Sequence, residues 1–228
     1  MIDAAPSKTL EIDYFSDVLC IWAYGAQVRI DQLKSEFNNR IELRYRFIPL
    51  FGATGKRIGE GWSERGGYDG FNRHCLDIAK GWDHVEVHPD IWRNCRPSSS
   101  VIVHLFLKAI DILEQESQSR IFERAVWLAR DAFFRQAANV CDPVVLQGIA
   151  HELALPFDQI KILMDNGEAY AALHLDHEAQ KEHQIPGSPT LIMNNGRQRL
   201  YGNLGYRVLK ANVEELLRDP SAGEASWC

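Results

Sequence analysis

No run of apolar residues in this chain reaches the ~20 positions that a bilayer-spanning helix needs, and the N-terminal "MIDAAPSKTLEIDYF" has no basic segment leading into an apolar one. A soluble, cytoplasmic protein without a membrane partner is expected. Basic charge is in deficit: 25 Lys and Arg stand against 31 Asp and Glu, a formal charge of -6. That excludes the broad basic surface that nucleic acid selects. Cysteine is sparse and odd in number, at Cys20, Cys75, Cys95, Cys141 and Cys228. Such wide spacing in a chain large enough to fold without staples argues against a disulfide framework and for a reducing compartment, with at least one thiol free. A phosphate cradle is missing too, because in "FGATGKRIG" Gly52 and Gly55 stand too close together and Arg57 occupies the place where Ser or Thr should follow Lys56. His74, Cys75, His84, His88 and Cys95 match no paired-ligand spacing and have no Cys-x-x-Cys anchor, so no metal is expected.

What remains is an ordinary globular composition, 228 residues of which 46% are hydrophobic, with a pattern that changes period twice. "LEIDYFS" alternates Leu10, Ile12 and Tyr14 against Glu11 and Asp13, the pattern of a half-buried strand. From Cys20 onward Ala23, Ala26, Ile30, Leu33 and Phe37 recur at helical steps, with Gln27, Arg29, Asp31, Gln32 and Lys34 on the other face. "IELRYRFIPL" alternates again and stops at Pro49, completing a βαβ unit. Residues 52–70 hold seven of the sixteen glycines and read as a loop, either a connector or a lid. From Ser98 to about Gln184 the period is helical, in four stretches that start at Ser98, Ser119, Asp142 and Pro156. "PTLIMNNG" and "RQRLYG" then read as two strands around an Asn194-Asn195-Gly196 turn. "GYRVLKANVEELLRDP" reads as a last helix with Tyr206, Leu209, Val213 and Leu216 on one face, ended by Pro220.

The order βαβ, helical block, ββα predicts an α/β fold in which the two ends of the chain build one mixed sheet and the middle is an insertion. The expected divisions are residues 8–52 and 185–219 for the two halves of the sheet domain, 53–184 for the glycine-rich loop and inserted helical subdomain, and 220–228 for a flexible tail.

Cys20 falls where the first strand hands over to the first helix. Unpaired backbone N–H groups and the helix dipole favour a thiolate there, whereas a free cysteine is also often just a small buried hydrophobe, and position alone leaves both readings open. The second signal is "IPGSPTLIM", in which Pro189 heads a strand behind Pro186, Gly187 and Ser188, a setting suited to a cis Ser188-Pro189 bond. Around the thiol, Trp22 and Tyr24 on the first helix and Trp62 and Tyr68 in the glycine-rich segment either form an apolar groove for a substrate or pack between subdomains. Lys56, Arg57 and Arg65 either attract a carboxylate or form a solvated face.

Taken together, "DYFSDVLCIWAYGA", the helical insertion and "IPGSPTLIMNNGRQRLYGNLGY" resemble the DsbA-like family of thioredoxin-fold oxidoreductases, to which kappa-class glutathione transferases and hydroxychromene-carboxylate isomerases are related. The resemblance implies a thioredoxin-like fold, Cys20 as the attacking cysteine, Pro189 as the cis-proline, and Ser188 as the residue whose backbone pairs with an extended peptide or with glutathione. It also marks a departure, since Ala23 stands where the family has its second cysteine. A dithiol cycle releases its mixed disulfide through that second sulfur, so release here needs an outside thiol such as glutathione or a distant cysteine. Cys75 and Cys95 fall in the region expected to cap the site, burial is expected of Cys75 and Cys141, and exposure of Cys228.

Three functions compete. The leading one is a thiol-disulfide oxidoreductase working as a monothiol on a peptide or small-molecule thiol or disulfide, with glutathione as co-substrate and no tightly bound cofactor. Its substrate contacts would come from Trp22, Ser188 and Pro189. The others are a glutathione transferase or isomerase acting on a hydrophobic small molecule, and a non-catalytic binding domain on the same scaffold.

Overall fold

The computed structural model describes residues 9–117 and 121–218. A four-stranded sheet holds the chain together in the order β2-β1-β3-β4, built from β1 (Leu10–Ser16), β2 (Ile41–Phe47), β3 (Thr190–Met193) and β4 (Gln198–Tyr201). β1 runs parallel to β2, with Leu10 opposite Ile41 and Ser16 opposite Phe47. It runs antiparallel to β3, with Tyr14 opposite Leu191, and β3 pairs antiparallel with β4. The chain's two ends therefore share one sheet across some 180 intervening positions. The β3-β4 turn is made by Asn194, Asn195 and Gly196, all at positive φ, a conformation that Asn and Gly adopt at least cost.

Helix α1 (Ile21–Phe37) buries Ala23, Ala26, Ile30, Leu33 and Phe37, the stripe its spacing predicts. Gln27 departs from the expected polar face. It is 3% exposed because its Oε1 accepts from the wholly buried Arg130 guanidinium, which also donates to Ser16 Oγ at 3.0 Å. Helix α8 (Tyr206–Arg218) closes the sheet domain with Leu209, Val213 and Leu216 inward.

The segment read as a loop, residues 52–70, is instead folded: a π-helical turn at Gly55–Glu60, a 3-10 turn at Ser63–Arg65, and the first turn of α2 (Gly67–Ala79). Its glycines conceal the helices because several serve as joints, with Gly66 and Gly67 at φ 91° and 55° where α2 begins. Phe71 and Cys75 anchor the inner face of α2. The insertion continues with α3 (Val101–Ser117), α4 (Phe122–Phe134), α5 (Pro143–Glu152), α6 (Phe157–Asp165) and α7 (Glu168–Glu182). Asp142 caps α5 by accepting from Val144 N at 2.9 Å, as its position before a proline suggests. The stretch 156–184 is two helices and not one, broken at Gly167 with φ 94°. Ser119 as a helix start, Pro220 as a stop, the 220–228 tail and Cys228 lie outside the described residues.

The insertion is fastened to the sheet by charge as well as by apolar contact. Asp176 of α7, wholly buried, accepts from Phe47 N at 2.9 Å, from Lys108 Nζ at 2.8 Å and from Arg46 at 3.3 Å. Lys108 also reaches Tyr45 O at 3.2 Å, so the carbonyl edge of β2 meets α3 there. Among the described residues no helix is long and apolar enough to cross a membrane.

Candidate active site

β1 ends at Ser16 and the next four residues turn into α1, with Cys20 as its N-cap. The turn is held by Cys20 N donating to Asp17 O at 3.1 Å, Leu19 N to Asp17 Oδ1 at 2.8 Å and Val18 N to His104 Nε2 at 3.2 Å. Opposite it lies the segment before β3. The Ser188-Pro189 bond is cis, Pro189 O accepts from Gly202 N, and Thr190 Oγ1 donates to Gly187 O at 2.7 Å. These bonds fix the Ser188 carbonyl so that Cys20 Sγ donates to it at 3.3 Å. Two residues 168 positions apart thus form one site.

Above the sulfur is a cavity of about 470 Å³ walled by Cys20, Ile21, Trp22, Leu50, Phe51, Arg57, Trp62, Phe71, His74, Pro186, Gly187, Ser188 and Tyr201. Aliphatic and aromatic side chains share the exposed lining about equally with polar atoms. Among the described residues that line it, the cationic side chain is Arg57, which lies over the Phe51 ring at 4.9 Å, and none carries a carboxylate. Trp22 is 40% exposed and meets Trp82 edge-on at 5.6 Å. Gly25 permits this packing, since a Cβ there would stand 2.5 Å from the Trp82 ring.

Cys20, Trp22 and Ser188 come together as the sequence suggested, and Pro189 directly follows them in the same turn. Tyr24 and Tyr68 take the packing alternative. Tyr24 does not flank the thiol. Its ring is buried against α4, stacked on Phe134 at 4.7 Å and Trp127 at 5.6 Å, because two residues carry it about 200° around the helix from Trp22, which faces the cavity. Tyr68 points toward Trp92 and donates to Thr54 Oγ1, while Trp62 does reach the cavity. Phe51, Phe71, His74 and Tyr201 are wall residues the sequence did not disclose. The i, i+3 spacing of Phe71 and His74 was the available signal, masked by the glycines before it.

Of the two readings that position left open for Cys20, the structure shows the buried one. Cys20 is 5% exposed, and burial pushes its pKa above the ordinary thiol value, further raised by Asp17. The Ser188 side chain and the Ala23 and Trp22 amides pull the other way, which is the helix-start effect foreseen from position. Desolvation outweighs it. The other thiols among the described residues are poor partners. Cys75 is buried on α2 and its pKa is also raised, by burial and then by the nearness of Cys20. Burial takes Cys95 to about 11. Cys141 is half-buried rather than buried, donating to Ser99 O at 3.0 Å. Among the described residues no three His, Cys, Asp or Glu side chains converge as a metal site.

No protein-family model matches the chain, and no curated protein does. Solved structures do match in fold. A putative protein disulfide isomerase from Nitrosomonas europaea superposes with a TM-score of 0.75 at 14% identity, over 92% of this chain and 98% of that one. The cytosolic disulfide reductase DsbM from Pseudomonas aeruginosa, solved with GSH, gives 0.66 at 18% identity, over 91% and 99%. A 2-hydroxychromene-2-carboxylate isomerase gives 0.61 at 15%, over 94% and 100%. The chain has the DsbA-like thioredoxin fold with a helical insertion. Oxidoreductases and an isomerase share that architecture.

Proposed function

We propose that this protein is a thiol-disulfide oxidoreductase that works as a monothiol through Cys20, with glutathione or a similar small thiol as co-substrate in a reducing cytoplasm. The observation that carries this reading is the Cys20 Sγ to Ser188 O contact at 3.3 Å on the floor of an open cavity. The Cys20 thiolate attacks one sulfur of a substrate disulfide, forming a Cys20 mixed disulfide and expelling the other sulfur as a thiolate that takes up a proton. A second, external thiolate then attacks the mixed disulfide, leaving with the bound half as a new disulfide and returning Cys20. Ala23 offers no sulfur for an internal release. Trp22, Phe51, Trp62, Phe71 and Tyr201 line the cavity with apolar surface, and the Arg57 guanidinium in the same lining supports this reading, since a carboxylate such as glutathione carries would pair with it.

The test is the exchange of a glutathione mixed disulfide with reduced glutathione. Cys20→Ser is expected to fall to the uncatalysed rate. Arg57→Ala is expected to raise KM about tenfold or more, the scale of a lost hydrogen bond to a charged group, with kcat kept. Full activity in Cys20→Ser would end the proposal.

The apolar walls favour a second reading, a glutathione-dependent transferase or isomerase on a hydrophobic small molecule. Cys20→Ser would retain activity on such a substrate, because a hydroxyl can still hydrogen-bond a bound thiolate.

A further inference from the structure

The residue with the most connections at the site is not Cys20 but Asp17, which is fully buried and three positions before it. Its amide donates to Ser188 Oγ at 3.0 Å, its Oδ1 accepts from Leu19 N at 2.8 Å, and its Oδ2 accepts from Phe51 N at 2.8 Å and Ser100 Oγ at 2.7 Å. Four separate stretches of chain are tied to one residue: the Cys20 turn, the cis-proline segment, the Phe51 wall and the start of α3.

We propose that Asp17 is the positioning residue of the Cys20 site, tying the Cys20 turn to the Ser188 segment and so holding the thiol against Ser188.

Ser188 Oγ accepts from the Asp17 amide at 3.0 Å and the Ser188 carbonyl accepts from the Cys20 thiol at 3.3 Å, so Asp17 and Cys20 grip the same residue from either side. Three donors on two carboxylate oxygens are the arrangement of an ionised acid. The nearest basic group, His104 on α3, is 3.6 Å from Oδ1. Its Nε2 accepts from Val18 N, so its hydrogen sits on Nδ1, which has no partner among the described residues. The ring is therefore neutral, and Asp17 is balanced by dipoles rather than by a cation. The other titratable or charged groups around Cys20 among the described residues are Tyr14 on β1, Cys75 on α2, and His74, Arg57 and Tyr201 on the cavity wall. The charge of Asp17 acts directly against ionisation of the thiol, in the same direction as burial.

The inference rests on Cys20 being the reacting group, but its test uses no disulfide substrate, so it can fail independently of the proposed activity. The alkylation rate of Cys20 by iodoacetamide is followed against pH, with the label located by peptide mass. Asp17→Asn is expected to move the midpoint to lower pH by about one unit, giving about tenfold more thiolate at neutrality, the usual scale for a neighbouring charge. Ser100→Ala, which removes one bond and keeps the charge, is expected to leave the midpoint in place. A merely structural role for Asp17 would scale the rate without moving the midpoint, and that result overturns the proposal. Should Asp17→Asn not fold, the wild-type protein still decides. The 13C resonance of the Asp17 carboxyl should be that of a carboxylate throughout and should inflect at the Cys20 midpoint. A protonated acid, or no inflection, refutes it.

Discussion

Cys20 donates its thiol hydrogen to the carbonyl oxygen of Ser188 at 3.3 Å, joining a helix start to a cis-proline turn 168 residues away. The contact exists because β1 and β3 are neighbours in one sheet. Strand pairing sets the distance between the two turns, and the Asp17 amide bond to Ser188 Oγ trims it.

Asp176→Ala is expected to destabilise the protein by about 3–5 kcal/mol, because it strands the buried Lys108 ammonium without its carboxylate. Urea unfolding measures this. Asp176 lies outside the cavity wall, so exchange by the folded protein should be unaltered. The double change Asp176→Leu with Lys108→Met should recover much of the loss.

Gly25→Ala places a methyl 2.5 Å from the Trp82 ring. Overpacking of this kind costs about 1–3 kcal/mol, and displacement of Trp82 disturbs the exposed Trp22 it supports. A lower Tm and a higher KM for apolar disulfides, with kcat little changed, are expected. Unchanged Tm and KM together would show that Trp82 does not brace the wall.

Alkaline conditions should weaken the fold in a defined window. Burial raises the folded-state pKa of Cys20, Cys75, Tyr14 and Tyr45, and takes Tyr24 to about 12. Each group holds its proton more tightly folded than unfolded, so its stabilisation is complete below the unfolded value and is lost as pH climbs toward the folded one. Stability should be level through neutrality and then fall above the ordinary thiol value of 9.0, by up to about 1.4 kcal/mol per pH unit for each such group. Urea midpoints that rise or stay level across that range would contradict the burial of these groups.

Cys75→Ala is expected to leave the lifetime of the Cys20 mixed disulfide within about twofold of wild type, since a thiolate that is hard to form is a poor attacking group. Acid-quenched time courses read this directly. A lifetime many times longer in the variant would identify Cys75 as an internal resolving thiol and refute the monothiol cycle.

Much of the fold was legible because it rests on local period. The alternation of Leu10 to Ser16 and of Ile41 to Phe47, the helical stripe of α1, and the Asn-Asn-Gly turn each declare themselves within a few residues. The first turn of α2 was hidden because Gly66, Gly67 and Gly70 read as a loop, and with it went Phe71 and His74. Gln27 turned inward on account of Arg130, 103 positions away, a partner no window can contain. The site was half legible. A thiol at a helix start and a proline ahead of a strand are sequence signals, and they brought Cys20, Ser188 and Pro189 together. The direction of the Cys20 pKa was not, because the Trp22 and Ala23 amides are local whereas the desolvation that outweighs them depends on walls from distant segments.

The most direct test of the account is to incubate the protein with oxidised glutathione and map every adduct by mass. A glutathione on Cys20 is expected, apart from any on Cys228, removed by reduced glutathione and absent from Cys20→Ser. Adducts confined to cysteines other than Cys20, or none at all on a folded protein, would contradict it.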